Sequence, residues 1–146
     1  MANLDGFGGT KKFYRDDNSV HRIDYYRSDS KLWYTSVYNN ESYLIKIIWY
    51  ENEIVQEIID IGNDPDITTI YYFEYGKVYQ IIYRKKNKRI YKNYSPNGRL
   101  THTTCMYNDG NGNIYIIKDK YYINDILIRM DETILDNVED WNQPVN

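Results

Sequence analysis

The stretch THTTC (residues 101–105) brings His102 within three residues of Cys105, the only cysteine in the chain. A cysteine nucleophile needs a base within hydrogen-bonding distance. On an extended strand, residues three apart point to opposite faces of the sheet, so His102 is not expected to activate Cys105. The two histidines and one cysteine also lack the paired spacing of a zinc site. We therefore predict that the protein is not an enzyme and uses no metal or cofactor.

The loop NDGNGN carries Asp109, Asn111 and Asn113 at alternate positions, as does the start of an EF-hand calcium loop. That loop also requires glycine at its sixth position and glutamate at its twelfth. Here those positions hold Ile114 and Lys120, so the sequence favours a long hairpin turn.

The glycine-rich start of the chain, DGFGGT, lacks the preceding strand and the Lys-Ser/Thr pair of a phosphate-binding loop. We interpret residues 1–12 as a flexible N-terminal segment. Residues 13–146 are then expected to form one domain.

The strongest charge feature is RKKNKR, residues 84–89. One interpretation is a solvated hairpin tip whose charges deter edge aggregation. The other is an anion site, because basic groups interleaved with tyrosines suit phosphate-bearing ligands. Residues 67–120 carry ten Lys/Arg against three Asp/Glu, although the whole chain has a net charge of −3. The second interpretation assigns ligand binding to Lys77, Tyr79, Tyr83, Arg84, Lys85, Lys86, Lys88, Arg89, Tyr91, Lys92, Tyr94, Arg99 and His102.

Around these residues, an aromatic side chain recurs just before each turn. The series begins with three steps of twelve residues, Tyr14, Tyr26, Tyr38 and Tyr50. It continues in steps of eleven residues through Ile61, Tyr72 and Tyr83 to Tyr94. The segments between are rich in Asn, Asp, Ser and Gly, which favour turns. Short strands at this spacing predict an antiparallel meander of about eight to ten strands.

The composition agrees with this prediction. Eighteen tyrosines and twenty isoleucines accompany a single alanine, and tyrosine and isoleucine favour strands. Tyrosine can stabilise a sheet whose two faces are both partly solvated, because its ring is buried while its hydroxyl remains in contact with water. We expect an all-β fold, either an open twisted sheet or an up-and-down barrel.

The period changes near the C-terminus. Met130, Ile134, Val138 and Trp141 recur at helical spacing, with acidic residues in the first turn. This pattern predicts one short helix over residues 131–141. Its role is either to cover an open edge of the sheet or to dock a partner.

One turn carries a family resemblance. Tyr94, Asn97, Gly98, Arg99 and Leu100 form the unit Tyr-x-x-Asn-Gly-Arg-Leu. This unit resembles the MORN-variant repeats, which are short tyrosine-rich hairpins found in some antitoxin components. FEYGKV is a partial second match, with tyrosine in place of the asparagine. The resemblance implies a hairpin-repeat fold and an antitoxin-type role.

These observations predict a non-enzymatic protein that binds and blocks another protein, of the antitoxin, immunity or phage-type counter-defence class. Its partner would be a toxin, effector or defence component. The alternative is a β-barrel that sequesters an anionic small ligand such as a nucleotide. The N-terminus has no apolar signal segment and no apolar run spans a bilayer, so we expect a cytoplasmic protein without a membrane partner. Oligomers could form through sheet edges.

Overall fold

The computed structural model describes residues 7–62, 64, 66–108 and 114–136, and every regular element in these ranges is a β-strand. The strands follow one another in the sheet in sequence order. They are β1 (Phe7–Tyr14), β2 (Val20–Arg27), β3 (Leu32–Tyr38), β4 (Leu44–Glu51), β5 (Ile54–Asp60), β6 (Thr68–Glu74), β7 (Lys77–Lys85), β8 (Lys88–Tyr94), β9 (Leu100–Asn108), β10 (Ile114–Ile123) and β11 (Ile126–Asp136). The all-β antiparallel meander is confirmed, but with eleven strands instead of eight to ten.

The predicted C-terminal helix is wrong over residues 131–136, which belong to β11. This strand pairs with β10 from Ile114 opposite Asp136 to Ile123 opposite Ile126. The acidic residues expected in a first helical turn instead form ion pairs, Arg129 with Asp131 and Lys118 with Glu132. Residues 137–141 of the predicted helix lie outside the described residues.

The second strand that the sequence did not predict is β1, at the N-terminus. Residues 7–12, assigned from the sequence to a flexible segment, form most of β1 and pair with β2. A bulge near Gly8 brings the two backbones into close approach. A Cβ atom at Gly8 would lie 1.9 Å from the carbonyl oxygen of Arg27, so only glycine fits there.

Two kinds of turn connect the strands. In the longer kind, as at residues 15–19, Asn18 donates its N–H to the carbonyl of Arg15, and Arg15 donates its N–H to the carbonyl of Ser19. This arrangement is a type I turn followed by a left-handed residue. The left-handed positions are Asn18, Ser30, Ser42 and Gly98, with φ between 66° and 83°. The shorter kind has two residues with positive φ, as at Asn52–Glu53 and Asn124–Asp125.

The chain divides into two compact units, residues 1–78 and residues 79–146. In the first unit, an aromatic row crosses three strands. Tyr34 stacks on Tyr25 at 4.3 Å between ring centroids and meets Trp49 at 4.7 Å. On the opposite face of β2 and β3, the Thr35 hydroxyl donates a 2.8 Å hydrogen bond to the carboxylate of Asp24, and both residues are buried. The buried positions of this unit therefore include polar groups.

In the second unit, the most buried side chains are Ile82, Arg89 and Tyr115. An arginine at 7% exposure is unusual in a sheet interior, because a buried charge requires a counter-charge or several hydrogen bonds.

The turn geometry gives a direct test. Gly98 has φ 83°, and a Cβ atom there would meet nothing within 4 Å, so replacement acts on the backbone alone. Gly98→Ala should lower the free energy of unfolding by about 1 kcal/mol. At the equivalent position in the first unit, Ser30→Gly should leave stability unchanged or raise it by roughly 0.5 kcal/mol. Urea unfolding of both variants measures the difference, and a neutral Gly98→Ala would contradict this account of the turn.

Candidate functional site

The strand register of the second unit separates two faces. We call one the histidine face, because it carries His102 with Asn93 and Tyr121 in line on the neighbouring strands. The opposite face, here called the lysine face, carries Lys85 and Lys88, which pair across the β7–β8 hairpin.

The thirteen predicted ligand-binding residues do not share one surface. The histidine face carries Arg84, Arg89, Tyr91 and His102, and the lysine face carries Tyr79, Tyr83, Lys85, Lys88, Lys92 and Tyr94. Lys86 and Arg99 lie in turns, and Lys77 belongs to the first unit. The structure therefore brings together smaller groups, each of which has to be considered separately.

A chain of polar side chains crosses four strands on the histidine face. Gln80 donates from Nε2 to Oδ1 of Asn93 at 3.0 Å, and Nδ2 of Asn93 lies 3.4 Å from Nδ1 of His102. Nε2 of His102 lies 2.9 Å from Oδ1 of Asp119, to which Thr104 donates at 2.6 Å. One neutral tautomer of His102, with its proton on Nε2, satisfies every bond in this chain.

The electrostatics of Asp119 follow from these contacts. Burial acts to raise the pKa of its carboxyl, but the hydrogen bonds from Thr104 and His102 outweigh burial, and the pKa lies below its ordinary value. Tyr121 adds a stacked ring 4.6 Å from the imidazole. The chain therefore holds His102 in a fixed orientation.

This arrangement is suited to structure more than to acid–base chemistry. Both ring nitrogens of His102 face polar partners, Asn93 at 3.4 Å and Asp119 at 2.9 Å. Cys105 pairs with Ile90 and Lys118, on the lysine face, so its separation from His102 is confirmed. Within the described ranges, no cluster of three or more His, Cys, Asp or Glu side chains could hold a metal ion.

Sequence reasoning missed the partners of His102. Gln80, Asn93 and Asp119 each read as ordinary polar positions of a strand, and only the register aligns them. The signal available in the sequence was the alternation of side chains along each strand, which assigns each of these three residues to one of the two faces of the sheet.

The β10–β11 hairpin presents a second candidate surface, which we call the apolar edge. Seven of its large apolar side chains are between 40% and 66% exposed. They are Ile123, Ile126, Leu127, Ile128, Met130, Ile134 and Leu135. β11 is paired with β10, its one neighbour among the described strands. Sequence reasoning missed this edge, because it assigned residues 131–141, which include Ile134 and Leu135, to a helix.

The charged residues of β11 do not protect the apolar edge from pairing with another chain. Arg129 contacts Asp131 on the same strand at 2.9 Å, and Lys118 lies 3.7 Å from Glu132. These four groups largely neutralise one another and leave uncharged apolar side chains on either side of them along β11.

β1, which in the same way has β2 as its one described neighbour, is built differently. It exposes Lys11 and Lys12 and contains two register shifts in only eight residues. Lysines and bulges are the usual devices that prevent an edge strand from pairing with another chain. β11 has a register shift near its start but no exposed lysine.

No protein-family model matches the chain, and no curated protein is significantly similar to it. The described residues contain no helix with the length and apolar character needed to cross a membrane. The MORN-variant resemblance thus depends on the motif at the β8–β9 turn.

The polar chain predicts an acid sensitivity. Because folding lowers the pKa of Asp119, its contribution to stability is present above the unfolded pKa of about 3.9 and is lost as pH falls through the folded value. Asp119→Asn should therefore be less stable than wild type at pH 7, with a smaller further loss below pH ~4. Urea unfolding across this pH range provides the measurement. If the free energy of unfolding falls by the same amount in the two proteins below pH ~4, the assignment is contradicted.

Proposed function

We propose that the chain is a non-enzymatic protein-binding protein, and that its partner adds an extended strand to β11. The observation that supports this most directly is the contrast between the two outer strands. β1 carries exposed lysines and bulges, whereas β11 exposes apolar side chains between Ile126 and Leu135.

Strand addition uses two kinds of contact. The backbone groups of β11 that point away from β10 supply hydrogen bonds, and alternate side chains supply specificity. Ile128, Met130 and Ile134 are each more than half exposed and would be covered by such a strand. Burial of apolar side chains is the main source of free energy in association.

The chemistry of the edge also describes the partner. Because Arg129 and Glu132 are already paired, a strand carrying an unpaired charge in its middle would have to lose its water without compensation. The fitting partner segment is an uncharged, alternating apolar strand of about ten residues, on a protein of the toxin, effector or defence class. The antitoxin-type resemblance of the β8–β9 turn supports the same class.

Charged substitutions on the edge test this proposal. Met130→Lys combined with Ile134→Lys should weaken partner binding by more than about tenfold, because each ammonium group would have to be desolvated in the complex. The matched control is Ile54→Lys, which charges a 51% exposed isoleucine in the first unit and should retain the partner. Each variant serves as bait in quantitative pull-down from cells that produce the protein, after thermal unfolding confirms that it is folded.

The outcomes are distinguishable. A partner retained by wild type and by the Ile54 variant, lost by the β11 variant, and shown to protect β11 amides from hydrogen exchange supports the proposal. Equal retention by all three proteins contradicts it. If wild type itself dimerises in analytical ultracentrifugation and the β11 variant does not, the edge binds a second copy, and the proposed partner class is wrong.

A further inference from the structure

The lysine face of the β7–β8 hairpin surrounds one tyrosine with three lysines. Tyr83 pairs with Ile90 on β8. Lys88 and Lys92 lie two residues to either side of Ile90, which makes them diagonal neighbours of the tyrosine, about 7–8 Å away between Cα atoms. Lys85 lies at about the same distance along β7. We call Tyr83 and these three lysines the lysine cluster.

The charge of the lysine cluster is not balanced by nearby acids. Residues 79–108, which span β8, β9 and nearly all of β7, contain seven Lys/Arg and no Asp or Glu. The three lysines are exposed, and the ion pairs of the described residues include none of them. Lys85 and Lys88 also lie directly opposite each other, where like charges oppose strand pairing. The positive potential of this surface is therefore available to an anion.

Protection of a sheet edge does not explain these lysines. Charged side chains deter aggregation when they lie on an outer strand. β8 is instead paired on both sides, with β7 and with β9. Lys92 pairs with Ile81 in the interior of the hairpin, so a solvated tip does not account for it either.

The two faces of the second unit also differ in burial. Its most buried side chains, Ile82, Arg89 and Tyr115, all lie on the histidine face. The lysine face, with three exposed lysines on adjacent strands, is the side that a large ligand can reach.

The ring of Tyr83 differs from the aromatic row of the first unit. There, Tyr25 and Tyr34 stack at 4.3 Å, so each ring covers the other. Tyr83 is partly exposed, and among the described residues no aromatic ring stacks on it and no cation lies over it. Such a ring can accept a planar group by stacking.

We infer that the lysine cluster binds single-stranded nucleic acid. A base stacks on Tyr83, and the three lysines bind the neighbouring phosphates. An acidic peptide supplies charge but no base, and the bases of a duplex are already stacked on one another. The cluster lies three strands from β11, so this inference is independent of the partner-binding edge.

The test is a fluorescence-anisotropy titration of the full chain with labelled single strands of about twelve nucleotides, one of DNA and one of RNA. For wild type, the logarithm of the association constant should fall with the logarithm of salt concentration with a slope of about −2, because each of three phosphate contacts contributes about −0.7. Lys85→Gln combined with Lys88→Gln should reduce the slope to about −0.7. The tighter of the two oligonucleotides identifies the preferred sugar.

Two further variants separate the cluster from general charge. Lys11→Gln combined with Lys31→Gln removes the same charge from exposed lysines of the first unit and should change the affinity by less than about threefold. Tyr83→Leu should weaken binding by about tenfold, whereas Tyr83→Phe, which keeps the ring, should bind within about threefold of wild type. Thermal unfolding checks that each variant is folded, and if Tyr83→Leu is not, the lysine pairs still decide the outcome.

Several results overturn the inference. Wild type that binds neither oligonucleotide does so directly. Equal loss of affinity in the two lysine variants shows a general attraction of the chain for anions, and a folded Tyr83→Leu variant that binds as wild type does shows that no base stacks there. Polyglutamate or a duplex that binds as tightly as the single strands assigns the surface to an acidic protein or to duplex nucleic acid instead.

Discussion

The pairing of each strand with the next strand along the chain is the interaction on which this structure depends. Among the described residues, no large side chain is completely buried, so no dry core holds the strands together. Stability instead comes from rows of side chains that cross neighbouring strands, such as Tyr25, Tyr34 and Trp49. The turns set the register of these rows, which is why left-handed residues recur in the loops.

A sheet stabilised in this way has two vulnerable features, its outer strands and its polar interior. On the histidine face, the hydrogen bonds of the polar chain fix the orientation of His102 and Asp119. The buried groups of this face without a hydrogen-bond partner in the described structure are Arg84 Nε and the Tyr91 hydroxyl. β1 is protected against pairing by exposed lysines and bulges, whereas β11 is not, and β11 is the strand to which we assign a partner. Partner binding is thus proposed where the cross-strand pairing is incomplete.

The sequence predicted the fold class because tyrosine and isoleucine recur at a period that only short strands and turns can follow. It failed at the C-terminus for a definite reason. Met130 and Ile134 are four residues apart, a spacing that lies on one side of a helix and also on one face of a strand. The opposite faces of His102 and Cys105 followed from alternation alone. The contact between His102 and Asp119 could not be predicted, since it depends on the β9–β10 register.

Hydrogen exchange of the backbone amides, resolved by residue in the purified monomer, tests the central claim most directly. If β11 is an available edge, alternate amides of residues 129–135 should exchange within about tenfold of an unstructured chain, while those of β8 and β9 are protected on both sides. Uniform protection of β11, equal to that of β9, would show that the edge is already covered. That result would contradict the assignment of β11 as the partner-binding strand.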